Sequence, residues 1–162
     1  MIDISKIRDV YPNYKEGQAI SPATLVESML ILQNQEASLG EAIVQAMKEV
    51  DSLKFEFDKK VKERDTFIER ASVELMANDK IPSKYLKNKE LTAYYIKFGS
   101  EKKDEFAKIN KECFDIEKKL VESRNVYKKY DTLSNVVHNA INTAIQVLSY
   151  LKHEQKAFNG SF

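Results

Sequence analysis

The chain has 162 residues, 31% charged and 43% hydrophobic, a mix that supports a buried core and excludes wholesale disorder. Four glycines and three prolines leave too little turn chemistry for a sandwich or barrel, and no glycine-rich phosphate cradle of the G-x-x-x-x-G-K or G-x-G-x-x-G kind can be written. The formal charge is +1, but residues 1–50 carry four basic and seven acidic side chains and residues 51–162 carry 22 and 18, so a polyanion-binding surface belongs to the later part.

Residues 1–20 contain Pro12 and Gly17 and show no sustained period. They read as an N-terminal arm or a short element, such as a strand at Ile2–Ile7, and hold no apolar run of the secretory kind. Ser21-Pro22 then has the chemistry of a helix start, with serine as cap and proline at the first helical position. From Leu25 the apolar residues recur at steps of three and four: Met29, Leu32, Leu39, Ile43, Met47, Val50, Leu53, Phe57, Val61, Ile68, Ala71 and Leu75. This predicts a long amphipathic arm over 21–79 with coiled-coil character. Unbroken, 22–77 would run to roughly 80 Å at 1.5 Å per residue, and Gly40 is the expected point of a kink or break.

Asn78-Asp79-Lys80-Ile81-Pro82-Ser83 is a helix breaker and opens a basic turn over 80–90. The second arm, 91–158, repeats the spacing through Leu91, Tyr95, Phe98, Phe106, Ile109, Cys113, Ile116 and Leu120, with an interruption expected at Gly99-Ser100. The fold class is therefore all-α: an elongated antiparallel helical hairpin with coiled-coil character. Two helices make a thin core, and the exposed apolar surface left over is most economically covered by self-association.

Thr132–Leu151 carries no charged side chain. Its length would span a bilayer, but Asn135, His138, Asn139, Asn142 and Gln146 are costly in hydrocarbon, so no membrane span is expected. Asn135, Asn139, Asn142, Gln146 and Ser149 form a polar stripe beside an apolar one of Val137, Ile141, Ala144, Leu148 and Leu151. Both stripes are expected to be buried, at a subunit interface formed by a C-terminal oligomerisation helix over 133–151; the alternative is an ordinary core helix with a neutral exposed face.

Catalytic parts are scarce. His138 and His153 share no metal-binding spacing, and Cys113, the only cysteine, occupies a seam position and reads as a core thiol. Acids such as Glu101, Asp104, Glu105 and Glu112 lie among lysines at the spacing of solvated helix pairs. No enzyme, metal or cofactor is expected, and a reducing, cytoplasmic setting is the simple reading.

Three basic clusters stand out. The first is Lys59, Lys60, Lys62 and Arg64. The second is Lys80, Lys84, Lys87 and Lys89, interleaved with Tyr85, Tyr94 and Tyr95. The third is Lys118, Lys119, Arg124, Lys128 and Lys129, with Tyr127 and Tyr130. Lysine and arginine neutralise phosphates without regard to sequence, and tyrosine stacks on unpaired bases; the plainer alternative is a solvated helix face. In an oligomer such clusters would be multiplied around a rim.

A long charged helix with Lys62-Glu63-Arg64 after Lys59-Lys60-Val61, a polar turn, the Tyr/Lys-rich Tyr85-Leu86-Lys87-Asn88-Lys89, and an uncharged ending such as Asn139-Ala140-Ile141-Asn142-Thr143-Ala144 follow one another over roughly residues 25–158. In this order of parts the chain resembles the UvsY-type recombination mediators of tailed phages. The resemblance implies a helical homo-oligomer that binds single-stranded DNA and helps load a recombinase onto strands covered by single-strand-binding protein, in the host cytoplasm. It implies DNA binding by Lys62 and Arg64, and oligomerisation through 133–151. The longer first helix and the arm 1–20 depart from that pattern.

Taken together, the expected phosphate contacts are Lys59, Lys60, Lys62, Arg64, Lys84 and Lys87, with Tyr85 stacking. The expected oligomer contacts are Val137, Asn139, Ile141, Asn142, Ala144, Gln146, Leu148 and Leu151. The competing expectation is a coiled-coil scaffold or assembly chaperone with no nucleic-acid role.

Overall fold

Serine and proline at 21 and 22 start the first helix as their chemistry dictates: Leu25 N–H donates to the Ser21 carbonyl at 3.1 Å, and proline sits where its missing N–H costs nothing. In the computed structural model, which describes residues 21–159, the described chain is all-helical. It consists of α1 (Pro22–Ala77), a 3-10 turn (Ser83–Tyr85), α2 (Lys89–Phe98) and α3 (Lys103–Asn159). The arm 1–20 and its strand at Ile2–Ile7 lie outside the described residues.

Of the kink or break expected at Gly40, the break is corrected: α1 continues through it. One glycine costs a helix only about 1 kcal/mol, and the buried Leu39 and Ala46 hold the turns on either side. The helix ends where the breaker lies. Lys80 N–H reaches the Leu75 carbonyl at 2.9 Å and Asp79 N–H the Met76 carbonyl at 3.1 Å, with Asp79 at φ 52°. These are the two bonds of a Schellman ending, made without the usual glycine.

Asn88 caps α2, accepting from Leu91 N–H at 2.8 Å. Gly99 and Ser100 close it, both donating to the Tyr95 carbonyl. The Ser100 hydroxyl donates to the Ile96 carbonyl at 2.9 Å and accepts from Lys102 N–H at 3.1 Å. One buried side chain thus satisfies backbone groups on both sides of the interruption.

The chain divides into two compact units. One takes the described residues up to Met47 and those from Asn125 onward; its core is Leu32, Leu39, Val137, Ala140 and Ile141, with Tyr130 and Leu133 packed against it. The other is Lys48–Arg124. Around the breaker its core is Ala71, Leu75, Ile81 and Ile96, with Phe67, Ile68, Tyr85 and Tyr95 alongside, and along α3 it buries Phe106, Cys113, Ile116 and Leu120.

Two seam expectations are displaced. Met47 is 53% exposed and Ala46 is buried in its stead, because Leu25, Leu32, Leu39 and Ala46 keep a strict step of seven. Phe98 is 63% exposed, because α2 is a separate helix whose buried face is Thr92 and Ile96.

Candidate nucleic-acid interface

All seven residues expected at a DNA surface lie in the unit Lys48–Arg124, but their surroundings differ. Lys60 is half-buried and its ammonium sits 2.8 Å from Glu112 and 2.9 Å from Glu63. Its hydrogen bonds to Glu112 and then Glu63 push its pKa well above the ordinary lysine value, and the same contact with Lys60 holds Glu112 below the ordinary carboxylate range. Arg64 bonds its neighbour Asp65 through Nε at 3.3 Å and an η nitrogen at 3.2 Å. These two cations already carry carboxylates, as do Lys80 with Glu101 at 2.8 Å and Lys102 with Glu74 at 3.1 Å.

Lys59, Lys62, Lys87 and Lys89 are exposed and have no ion-pair partner among the described residues. Lys59 and Lys62, three residues apart, share one face of α1. Four residues before Lys59 on that face stands Phe55, 73% exposed. Spacing alone did not select Phe55, since it falls outside the seam; the signal was its position two residues from Phe57, which puts it on the other side of the helix.

Tyr85 is not a free stacking platform. Its ring stacks on Tyr95 at 4.9 Å between centroids, and the Lys84 ammonium lies 4.8 Å over it. Tyr95 in turn bonds the Lys80 carbonyl through its hydroxyl at 3.3 Å, so the pair is part of the core of the turn. The exposed aromatic surface lies instead on α2, where Tyr94 and Phe98 are 56% and 63% exposed with ring centroids 5.0 Å apart.

The residues expected at an oligomer contact lie in the other unit. Val137, Ile141 and Ala144 are buried within the chain itself, the first two against Leu32 and Leu39; Leu148 and Leu151 are half-buried. Asn135, Asn139, Asn142, Gln146 and Ser149, expected to be buried, are all exposed in the single chain, because the apolar stripe alone faces α1. His138 Nδ1 lies 2.9 Å from Glu36.

Burial pushes the Cys113 thiol up, consistent with a core role. Among the described residues no three His, Cys, Asp or Glu side chains gather as a metal site, and no described helix is long and apolar enough to cross a membrane. No family model, curated protein or solved structure matches the chain.

Proposed function

We propose that this protein binds single-stranded DNA as a self-associating recombination mediator, holding the strand for a recombinase to load. The observation that carries the reading is a set of uncommitted cations sharing a helix face with an exposed aromatic ring, Lys59 and Lys62 with Phe55 on α1; Lys87, Lys89, Tyr94 and Phe98 add further exposed cations and rings in the same unit. Lysines neutralise phosphates, and exposed rings accept bases irrespective of sequence. Binding is the whole mechanism: many weak contacts reshape the strand, and self-association multiplies them. Recombinase and single-strand-binding protein enter as partners through the family resemblance alone.

An antiparallel pairing of α1 with α3 within the unit Lys48–Arg124 is supported by two ion pairs. Lys60 meets Glu112, and further along α1 Glu74 meets Lys102, which lies earlier in the chain than Glu112. Self-association is supported by the uncharged, exposed outer face of residues 132–151.

A scaffold or assembly chaperone is the second reading, favoured by the neutralisation of Lys60, Arg64 and Lys80 by their acids. Titration of single-stranded DNA binding against salt decides between them. The DNA reading requires affinity that falls steeply with salt, and a loss of affinity on Lys62→Ala with Arg64→Ala. Absence of binding at low salt leaves the scaffold.

A further inference from the structure

We propose that copies of this chain join head to tail, with the uncharged outer stripe of α1 on one copy packed against the amide-rich outer stripe of α3 on the next. The inference rests on the self-association reading above and names its two faces.

The first face lies beside the buried heptad of α1. Val26, Leu30, Ala37, Val44 and Met47 are all exposed, Val26 at 46% and Leu30 at 57%. With Gln33 and Gly40 between them they keep alternating steps of four and three, and none is charged. A helix with only one apolar partner carries charge on such a face. A helix with two uncharged stripes at coiled-coil spacing is built for neighbours on two sides.

The second face is the α3 stripe of Asn135, Asn139, Asn142, Gln146 and Ser149, exposed along its whole length. The same spacing carries it back to Lys128 and forward to His153 and Lys156, so it ends in basic side chains. Val136, Ile145 and Tyr150 border it, each more than two-fifths exposed.

Charge decides which face meets which. Residues 22–47 carry Glu27, Glu36 and Glu41 and no lysine or arginine. Residues 125–157 carry Lys128, Lys129, Lys152 and Lys156 against Asp131 and Glu154. Packing α1 on its own copy would gather Glu27 and Glu41 with their duplicates, and packing α3 on its own copy would gather lysines. Packing α1 on α3 sets acid against base. Gln33 offers an amide to the asparagines, and Val136, Ile145 and Tyr150 offer apolar contact to Leu30 and Val44. Such a contact uses two different surfaces, so each copy keeps one of each free. Addition then continues until a ring closes or a filament grows.

Mixing two blocked variants tests this. One carries Leu30→Glu with Val44→Glu, the other Asn139→Glu with Gln146→Glu, so the blocked faces also repel each other. All four positions are exposed, and circular dichroism checks that the helix content is retained. The milder Leu30→Gln with Val44→Gln serves if the first variant unfolds, and is expected to weaken assembly rather than abolish it. Native mass is expected to show the wild type assembled, each variant monomeric, and their mixture as a 1:1 dimer of about twice 18.7 kDa. A mixture that stays monomeric, or an α1-face variant that assembles like wild type, overturns the head-to-tail contact. A monomeric wild type overturns self-association itself. Single-stranded DNA binding is measured separately, because its proposed contacts lie in the other unit.

Discussion

The Lys60 ammonium lies 2.8 Å from the Glu112 carboxylate, across 52 residues of sequence, with Glu63 completing its coordination at 2.9 Å. A lysine held by two carboxylates must surrender both before it can meet a phosphate. Two residues away, Lys62 has no such contact. The basic run 59–64 therefore consists of two cations already paired with acids, Lys60 and Arg64, and two outward-facing ones, Lys59 and Lys62, and substitution separates them. Lys62→Ala is expected to weaken single-stranded DNA binding and to reduce the slope of log affinity against log salt by about one. Lys60→Ala is expected to leave that slope nearly unchanged and to lower the midpoint of thermal unfolding. Equal slopes for both variants would remove the distinction.

The two tyrosine-bearing surfaces near the turn divide in the same way. Tyr94→Ala removes an exposed ring and is expected to cost about 1–3 kcal/mol of single-stranded DNA affinity with little change in stability. Tyr85→Ala removes a ring stacked on Tyr95 in the core of the turn, and is expected to cost about 1–3 kcal/mol of stability instead. Fluorescence anisotropy with a labelled oligonucleotide, alongside urea unfolding, reads both quantities.

Acid dependence follows from the carboxylates. The hydrogen bond from Lys60 lowers Glu112, and that from Lys80 lowers Glu101, below their ordinary value of 4.5. A carboxylate lowered in the fold binds fewer protons there than in the unfolded chain. Its contribution is present above the ordinary value and is lost as the pH falls through the folded one. Between about pH 5 and about pH 3 the wild type is expected to lose more thermal stability than Glu112→Gln does. Parallel acid limbs for the two proteins would show that the pair contributes nothing.

Backbone geometry gives a prediction of the opposite sign. Asp79 occupies the left-handed region at φ 52°, where a side chain costs roughly 1 kcal/mol and glycine costs nothing sterically. Asp79→Gly is expected to stabilise by about 0.5–1 kcal/mol in urea unfolding. Gly99→Ala is expected to destabilise, because an added Cβ would stand 2.8 Å from the Tyr95 ring.

Ser123 is buried and its hydroxyl has no hydrogen-bond partner among the described residues. Replacing it with alanine removes an unsatisfied polar group and improves helix propensity. Ser123→Ala is expected to raise stability by about 1 kcal/mol, and a loss of stability would reveal a partner for the hydroxyl.

The helical character, the start at Ser21-Pro22, the breaker after Ala77 and the interruption at Gly99-Ser100 were legible in the sequence. Each rests on local chemistry: proline's missing donor, a serine cap, apolar spacing at the helical period. Gly40 does not break α1, because local propensity is weak and packing of Leu39 and Ala46 outweighs it. The site was legible only as a set of residue types. Lys59, Lys60, Lys62 and Arg64 look alike in one dimension, and the acids that separate them, above all Glu112, come from a distant helix. Phe55 and Phe98 were missed as surface features for the same reason, since exposure is a property of what the rest of the chain covers.

By itself, then, the sequence determined the helices, most of their ends and the uncharged stretch 132–151, because these depend on neighbours within a few residues. Only the tertiary structure decided which lysines are free, which aromatic rings face outward, and that the asparagine stripe of α3 is uncovered in the single chain. Those depend on long-range pairings such as Lys60 with Glu112 and Val137 with Leu39, and a period of three or four along the chain carries no information about which distant helix supplies the partner.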